Sequence, residues 1–362
     1  MRISIPNITS NGTYTPTLLP TTQIIQRLVE FLGSSTGTAV LTGAGVSVDS
    51  GIRAYRGDHG RYINPNYKWY QELVDKGEKG VAFRRVTCTF ELCELRSYLG
   101  YPPVRDAMPN TSHTAIAAGM HSSIFKRLIT QNVDGLHVKA LRPFWDTSRI
   151  ENHILELHGT LFRVHCQHGH ALDRDEFQRM LSESNPEWKE FADELESTGQ
   201  KPRTNPDGDV MLEGVTYDEF VVPNCRECLA EGRINSVLKP DVVFFGESIP
   251  DSIKDRSFRD VEGCDRLLVI GTTLATYSAF RIVKHALELK RPIFILNTGP
   301  TRADELPGIE KVDGLSGSVL PGVVRTFLGS DAVRDPALNK LFSSGIIRPP
   351  PDDVHDLSKA AG

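Results

Sequence analysis

The sequence has no apolar run long enough to cross a bilayer. No segment approaches the roughly 18 consecutive apolar residues of a membrane-spanning helix, and the N-terminus lacks the apolar core of a secretory signal. Basic residues are not in excess either, since 41 Lys and Arg stand against 46 Asp and Glu. We therefore expect neither membrane insertion nor direct binding to nucleic acid, and the oligomeric state stays open.

Acidic residues are missing from the first 29 positions, where Ser, Thr and Pro are frequent and Arg2 and Arg27 carry the only charges. This composition is similar to that of a mitochondrial transit peptide, and equally to that of an unstructured leader. We expect residues 1–20 to be a disordered leader and the protein to lie in the mitochondrial matrix, with the cytoplasm or nucleus as the alternative.

The six cysteines in 362 residues do not indicate a disulfide framework, because the chain has no secretory signal. Cys225 and Cys228 have the C-x2-C spacing with which two thiolates hold one tetrahedral Zn²⁺. Upstream, Cys166 can supply a third thiolate, and we prefer His170 to His168 as the fourth ligand because its spacing lets the chain turn back on the ion. The four residues predict one structural zinc, and a site that has lost its metal is the alternative.

A third glycine is absent from what would otherwise be a dinucleotide-binding turn. The apolar run Ala39 to Leu41 predicts a buried strand, and Gly43 and Gly45 after it let backbone approach a phosphate closely. Val48 stands where the full fingerprint has another glycine, and no acidic residue closes a second strand about 20 residues on. The segment predicts a nucleotide cradle, but a dehydrogenase is not the first interpretation.

Four further short apolar runs predict buried strands, each followed by small or polar residues: 127–130, 241–245, 266–270 and 292–296. Such strands are typical of a parallel sheet in an α/β fold. We expect a Rossmann-like domain from residues 21–57, 125–160 and 239–329. A helical and loop insertion at 58–124 and a small zinc-binding module at 161–238 would interrupt it, and residues 330–362 would form a flexible tail.

Two helix starts are also predicted from cap residues. Thr21 and Thr22 precede an apolar pattern that ends at Gly33, and Thr111 with Ser112 would cap a helix over 113–120. The first helix leads into the strand before the glycine turn, and the second belongs to the insertion at 58–124.

The polar residues that follow these strands should converge on one crevice at the carboxyl edge of a parallel sheet. They are Ser47, Arg56, Gln131, Asn132, Asp134, His158 and Asn297. Gly159 directly follows His158 and would leave one side of the imidazole open to a ligand, although a lone histidine is more often structural.

Five ordered motifs together resemble those of the sirtuin family. They are Thr42 to Ile52, Thr130 to His137, Glu156 to Gly159, Lys239 to Glu247 and Gly271 to Leu274. The match covers about residues 22 to 325, and the segments 205–210 and 295–302 are similar to the class II branch, which includes a mitochondrial sirtuin of animals.

The resemblance implies an enzyme that consumes NAD and binds an acyl-lysine protein substrate. It would transfer the acyl group from lysine to ADP-ribose and release nicotinamide, with NAD as co-substrate and one structural zinc per chain. His158 would be the general base, because an imidazole can be neutral near pH 7 and accept a proton. Protein ADP-ribosylation and a catalytically weakened NAD-binding regulator are the alternatives.

The resemblance also implies roles for individual residues. Catalytic positions would be His158, Asn132 and Asp134. Cofactor-binding positions would be Gly43, Ala44, Gly45, Ser47, Tyr55, Arg56, Gln131, Asn132, Asp134, Gly271, Thr272, Thr273, Asn297 and Ser316. The acyl-lysine peptide would add as a strand along Val243, Phe244, Phe245 and Gly246. The metal ligands would be Cys166, His170, Cys225 and Cys228.

Three positions depart from the family pattern. Ala54 stands where a carboxylate is expected before the aromatic-Arg pair, and Gly169 replaces the second cysteine of the first zinc pair. Pro65 replaces the arginine that follows the tyrosine of the desuccinylase branch, so nothing favours an acidic acyl group. Larger neutral or lipoyl-type acyl groups fit the resemblance better.

Overall fold

The computed structural model describes residues 19–54, 90–198, 220–233, 236–243 and 247–350, with residues 90–96 described by their backbone alone. The N-terminal part contains helix α1 (Thr21–Gly33), strand β1 (Thr38–Thr42) and a 3₁₀ helix (Ala44–Ser50). Next come α2 (Phe90–Asp106), α3 (Thr111–His121), β2 (Phe125–Thr130), α4 (Leu136–Leu141), α5 (Thr147–His153) and β3 (Ile154–Glu156).

The middle of the chain contains β4 (Gly159–Cys166), β5 (Ala171–Asp173), α6 (Arg174–Ser184), α7 (Pro186–Ser197), α8 (Arg226–Ala230) and β6 (Leu238–Val242). The last part contains α9 (Asp251–Glu262), β7 (Arg266–Ile270), α10 (Tyr277–Glu288), β8 (Ile293–Leu296), β9 (Ile309–Val312), α11 (Ser316–Leu328), α12 (Asp331–Arg334) and α13 (Pro336–Ser344).

The larger sheet has six parallel strands in the order β3-β2-β1-β7-β8-β9. Every residue of β1, β7 and β8 is buried, because helices cover both faces of the sheet. This arrangement confirms the expected Rossmann-like α/β fold.

Alternate residues of each strand face opposite layers of the core. Val40, Leu128 and Leu268 belong to the cluster that includes residues of α1, α3 and α11. Leu41 and Val269 belong to the other cluster, which α9 and α10 help to form. The period of two residues in a strand therefore divides the core into two layers.

The second sheet has three antiparallel strands in the order β5-β4-β6. The strand predicted at 241–245 corresponds in part to β6, so its assignment to the parallel sheet was wrong. Gly159 permits this pairing, since a Cβ on it would lie 1.9 Å from the carbonyl oxygen of Asp241. Residues 244–246 lie outside the described part of the chain.

The small unit around this sheet has its own core, in which Phe177 and Leu238 pack with Cys228. Tyr98 and Leu99 of α2 belong to the same core. The two predicted insertions are therefore joined by shared apolar packing.

Both predicted caps were wrong in detail. Helix α1 begins after Pro20, with Thr21 already inside it and no side-chain cap bond. Helix α3 is capped by Asn110, whose side chain accepts hydrogen bonds from the backbone of Ser112 and His113.

The predicted flexible tail is also wrong over 331–344, which form α12 and α13. Leu338 and Leu341 of α13 are buried in the same core as residues of α3. Across the described residues, no helix combines the length and apolar character that crossing a membrane would need.

Candidate functional site

The first glycine turn packs directly on the loop after β7. The backbone N–H of Gly43 donates to Ile270 over 3.2 Å, and that of Gly45 donates to Gly271 over 2.9 Å. A Cβ on Gly43 would lie 2.6 Å from Cβ of Thr272, and one on Gly45 would lie 2.8 Å from the oxygen of Gly271. The two strand ends can approach so closely because side chains are absent here.

Gln131, at the end of β2, ties the strand ends together. Its amide nitrogen donates to the carbonyl of Thr42 over 3.2 Å and to Oγ1 of Thr272 over 2.9 Å. Its amide oxygen accepts from Thr276 over 3.1 Å. Gln131 therefore links the carboxyl ends of β1, β2 and β7.

Asn132, Ser47 and Asp134 form a buried hydrogen-bonded group beside the glycine turn. The Asn132 amide donates to the carbonyl of Gly43 over 3.1 Å and to Ser47 Oγ over 3.0 Å. Ser47 in turn donates to Oδ2 of Asp134 over 2.6 Å. Burial raises the pKa of Asp134, and the hydrogen bonds from Ser47 and the Leu136 backbone act against that rise.

Two buried histidines extend this group, and the sequence analysis assigned neither of them a role. His113 Nε2 lies 3.4 Å from Ser47 Oγ, and His137 Nε2 lies 3.0 Å from Thr42 Oγ1. Their rings stand 4.7 Å apart. Burial lowers the pKa of His137 to about 3 and that of His113 well below its usual value, with repulsion from His137 adding to the second shift. Both rings are therefore neutral near pH 7.

Glu156, at the end of β3, lies close to Asn132, Asp134 and His137. Burial raises the pKa of Glu156 to about 7, whereas the charge of Arg163 and a hydrogen bond from Thr160 lower it. Glu156 stands inside one of the quoted motifs, but no role was predicted for it.

His158 is buried directly before β4, and each of its ring nitrogens has a hydrogen-bond partner. Nδ1 lies 3.0 Å from the carbonyl oxygen of Gln131, and Nε2 lies 2.7 Å from Oγ of Ser278. Burial lowers the pKa of His158 to about 4, the Gln131 bond raises it, and the charge of Arg281 lowers it. The ring is therefore a neutral base near pH 7. Nothing in the sequence pattern pointed to Ser278.

The residues predicted for the adenosine half lie at the ends of β7 and β8 and at the start of α11. Thr272 is buried and accepts from the Leu274 backbone over 3.1 Å. The Asn297 amide donates to the carbonyls of Thr298 and Gly299, each over 3.1 Å. Ser316 Oγ lies 2.8 Å from Ser112 Oγ.

Several predicted positions lie outside the described residues: Tyr55, Arg56, Phe244, Phe245 and Gly246. Val243 is described, and its N–H donates to the carbonyl oxygen of His158 over 2.9 Å. The start of the predicted peptide edge therefore adjoins the histidine.

Cys166, His170, Cys225 and Cys228 place one ligand atom each within 4.8 Å of one another. His170 Nδ1 lies 3.6, 3.5 and 3.3 Å from the sulfurs of Cys166, Cys225 and Cys228 respectively. Three thiolates and one imidazole make a donor set that Zn²⁺ commonly takes, so these residues could hold a zinc ion.

The other ring nitrogen of His170 faces carboxylates. Nε2 lies 3.6 Å from both Glu227 Oε2 and Glu231 Oε1. Such partners orient a histidine whose opposite nitrogen binds a metal. His168 is not a member of the group, and its backbone N–H points to Cys166 Sγ over 3.3 Å instead.

Comparison with known proteins finds matches over most of this chain. Residues 43–278 match the model of the Sir2 family. The NAD-dependent protein deacylase SIR4 of Batrachochytrium dendrobatidis is 44% identical over 292 residues, which are 78% of this chain and 88% of that protein. The NAD-dependent protein lipoamidase sirtuin-4, mitochondrial, of Bos taurus is 33% identical over 318 residues, which are 87% and 90% of the two chains.

A solved structure of a Sir2–p53 peptide–NAD+ complex has a similar fold. It matches with a TM-score of 0.54 at 21% identity and covers 84% of this chain and 98% of its own. The structural similarity therefore extends over most of this chain and nearly all of the other.

Proposed function

Because this chain belongs to the Sir2 family, we infer that it is an NAD-dependent protein-lysine deacylase. It removes the acyl group from a lysine side chain, transfers it to ADP-ribose and releases nicotinamide. The observation that supports this activity best is the position of His158. Its neutral imidazole is bonded to Gln131 at the end of β2, and its backbone carbonyl is bonded to Val243.

The crevice at the carboxyl ends of β1, β2 and β7 fits NAD. Gly43 and Gly45 hold their turn closely against the loop after β7, and Asn132 and Asp134 offer buried polar groups next to it. We assign the pyrophosphate and ribose to the glycine turn and the nicotinamide to the Gln131 and Asp134 side. Bound NAD supplies the ADP-ribosyl group that accepts the acyl and the nicotinamide that leaves.

His158 is proposed to take a proton at Nε2 from a ribose hydroxyl. Its Nδ1–H is held by the Gln131 carbonyl, so the lone pair of the neutral ring lies on Nε2. The low pKa keeps that lone pair free of a proton at neutral pH. Asn132 is hydrogen-bonded to Gly43 and Ser47 and so holds the glycine turn against the end of β2.

The acyl-lysine peptide is proposed to add as a strand along 243–246, where backbone hydrogen bonds would hold it with little sequence preference. The zinc ligands stand in the small unit, and their closed set of four supports a structural role. We propose that zinc holds together the part of the chain between β4 and β6.

The acyl group and the cellular location are finer proposals. The bovine relative is named a lipoamidase and mitochondrial, and the first 29 residues contain no acidic side chain. We propose a lipoyl-type or larger neutral acyl group as the preferred substrate and the mitochondrial matrix as the location.

The test is incubation of the protein with NAD and a panel of acetyl-, fatty acyl-, lipoyl- and succinyl-lysine peptides, followed by mass spectrometry. We expect free nicotinamide and O-acyl-ADP-ribose in equal amounts, with the lipoyl or fatty acyl peptide turned over fastest. Transfer of ADP-ribose to the protein partner without deacylation would support the alternative activity. NAD that remains uncleaved with every peptide would contradict the proposal.

A further inference from the structure

Both nitrogens of the His158 ring have partners, and the two partners differ in kind. A carbonyl oxygen can only accept, so the contact with Gln131 requires the hydrogen to be on Nδ1. The neutral ring then has its lone pair on Nε2, and the Ser278 hydroxyl donates to it over 2.7 Å. The Ser278 hydroxyl is therefore hydrogen-bonded to the nitrogen that takes the proton in the proposed reaction.

Ser278 is well placed to hold the ring in one orientation. It is the second residue of α10 and is 5% exposed. Thr276, not Ser278, is the N-cap of this helix, and it makes no side-chain cap bond. The Ser278 hydroxyl is directed at His158 and is not needed to begin the helix.

We propose that Ser278 is a positioning residue for His158. Its hydroxyl first donates a hydrogen bond to Nε2 of the neutral ring and then accepts one from the Nε2–H of the protonated ring. This inference rests on the proposed function, because it takes His158 as the base. During proton transfer the O–H bond of a ribose hydroxyl breaks and an Nε2–H bond forms. The Ser278 hydroxyl keeps its own proton and turns, so that its oxygen becomes the acceptor.

The surroundings of the ring explain why this reversal of the hydrogen bond would help the reaction. Burial and the charge of Arg281, one turn further along α10, both disfavour the protonated ring. A hydroxyl is both donor and acceptor, so the same contact can serve both states of the ring. A hydrogen bond from a charged donor is stronger than one from a neutral donor, so Ser278 favours the step that protonates His158.

The test compares Ser278→Ala, Ser278→Thr and Ser257→Ala with the full-length wild type. Alanine removes the hydroxyl at a helical position that tolerates it, and threonine keeps the hydroxyl. Ser257 is a matched control because it is buried in α9 and donates to the Lys254 carbonyl over 2.6 Å. Measurements are kcat and KM for deacylation, exchange of labelled nicotinamide into NAD, and ¹⁵N spectra of the histidine rings.

We expect Ser278→Ala to lower kcat about tenfold, while the KM for NAD and the KM for the acyl-lysine peptide each change less than about twofold. Nicotinamide exchange should persist, because in the proposed reaction the nicotinamide would leave the ribose before His158 takes its proton. The ¹⁵N signal of His158 Nε2 should move toward that of a ring nitrogen without a donor. Ser278→Thr should restore most of the rate, and Ser257→Ala should match wild type.

Two results would overturn the role of Ser278. One is a Ser278→Ala enzyme with the kcat and the Nε2 signal of wild type. The other is equal loss of exchange and deacylation with no rescue by threonine, which would show structural damage. A wild-type enzyme that never removes an acyl group would instead overturn the proposed function itself.

Discussion

The Ser47 hydroxyl donates to the Asp134 carboxylate over 2.6 Å while it accepts from the Asn132 amide over 3.0 Å. One hydroxyl of the 3₁₀ helix thereby connects two polar residues that follow β2. All three side chains are buried, so the loss of one would leave a buried polar group of another without a partner.

Replacing Ser47 by Ala should leave Asp134 without its hydroxyl partner in a buried site. We expect a loss of about 1–3 kcal/mol in the free energy of unfolding and a raised KM for NAD, because the 3₁₀ helix that follows the glycine turn loses its hydrogen bonds to Asn132 and Asp134. Denaturant unfolding and steady-state kinetics measure these effects. Ser182→Ala, which removes a hydroxyl that contacts Tyr98 in the small unit, is the control and should leave the KM for NAD unchanged.

Replacing His158 by Ala should reduce deacylation by about 100-fold or more, because the proposed base is lost. Circular dichroism and thermal unfolding should remain close to those of wild type, since the backbone bonds around the ring are kept. His153→Ala is a suitable control, because that ring is only partly buried and its hydrogen bond is to the Arg149 carbonyl of its own helix. Undiminished turnover by the His158 variant would show that another group is the base.

The two buried histidines predict a loss of stability in acid. The pKa of His137 is about 3 in the folded protein and 6.5 ordinarily, so below pH 6.5 the unfolded chain binds the extra proton. The free energy of unfolding should fall by about 1.4 kcal/mol per pH unit for each such ring, from about pH 6.5 down to the folded pKa.

The measurement for this prediction is denaturant unfolding of wild type and His137→Gln at about pH 7.5 and about pH 5. The variant should lose less stability between the two conditions than wild type does, whatever its stability at the higher pH. Equal losses in both proteins would show that the His137 ring is protonated in the folded state.

Gly159→Ala should unfold the protein more readily than Gly308→Ala. Both residues have positive φ, +78° and +80°, so alanine strains the backbone at each. Only at Gly159 would the new Cβ also meet the Asp241 oxygen, at 1.9 Å, whereas nothing lies within 4 Å at Gly308. We expect an additional loss of about 1–3 kcal/mol for Gly159→Ala in chemical unfolding. Similar losses for both variants would mean that β4 and β6 can separate at no cost.

The metal site predicts about one zinc per chain by elemental analysis. Cys225→Ala and His170→Ala should each lose most of the metal, because they remove ligands from the group of four. His168→Ala and Cys264→Ala should retain it, since neither residue belongs to that group. A folded wild-type protein without zinc would show that the site no longer binds metal.

The parallel sheet could be predicted because its strands are short, apolar and buried on both faces, as at Ala39 to Leu41 and 266–270. The group of four residues that could hold zinc was predicted from spacing, and it contains His170 and not His168. The strand predicted at 241–245, which corresponds in part to β6, was assigned to the wrong sheet because an apolar run does not specify its partner. Its partner β4 lies over 70 residues earlier, and Gly159 allows their close contact.

The predictions of the helix caps and of the flexible tail were wrong for a related reason. Asn110 was passed over because cap residues are common in sequence, and only its backbone conformation selects it. Leu338 and Leu341 are too few to indicate a buried helix in a polar segment, and their burial depends on the surface that helix α3 offers.

The sequence by itself determined the family, the order of the strand-end motifs and the residue types available for chemistry. Those properties follow from local spacing and from side-chain chemistry, which the linear chain already contains. The tertiary structure decided which hydrogen-bond partners each group has: Ser278 beside His158, His113 beside His137, and Ser47 between Asn132 and Asp134. These contacts join residues that are distant in the chain, and they exist only after the two layers of the core bring the strand ends together.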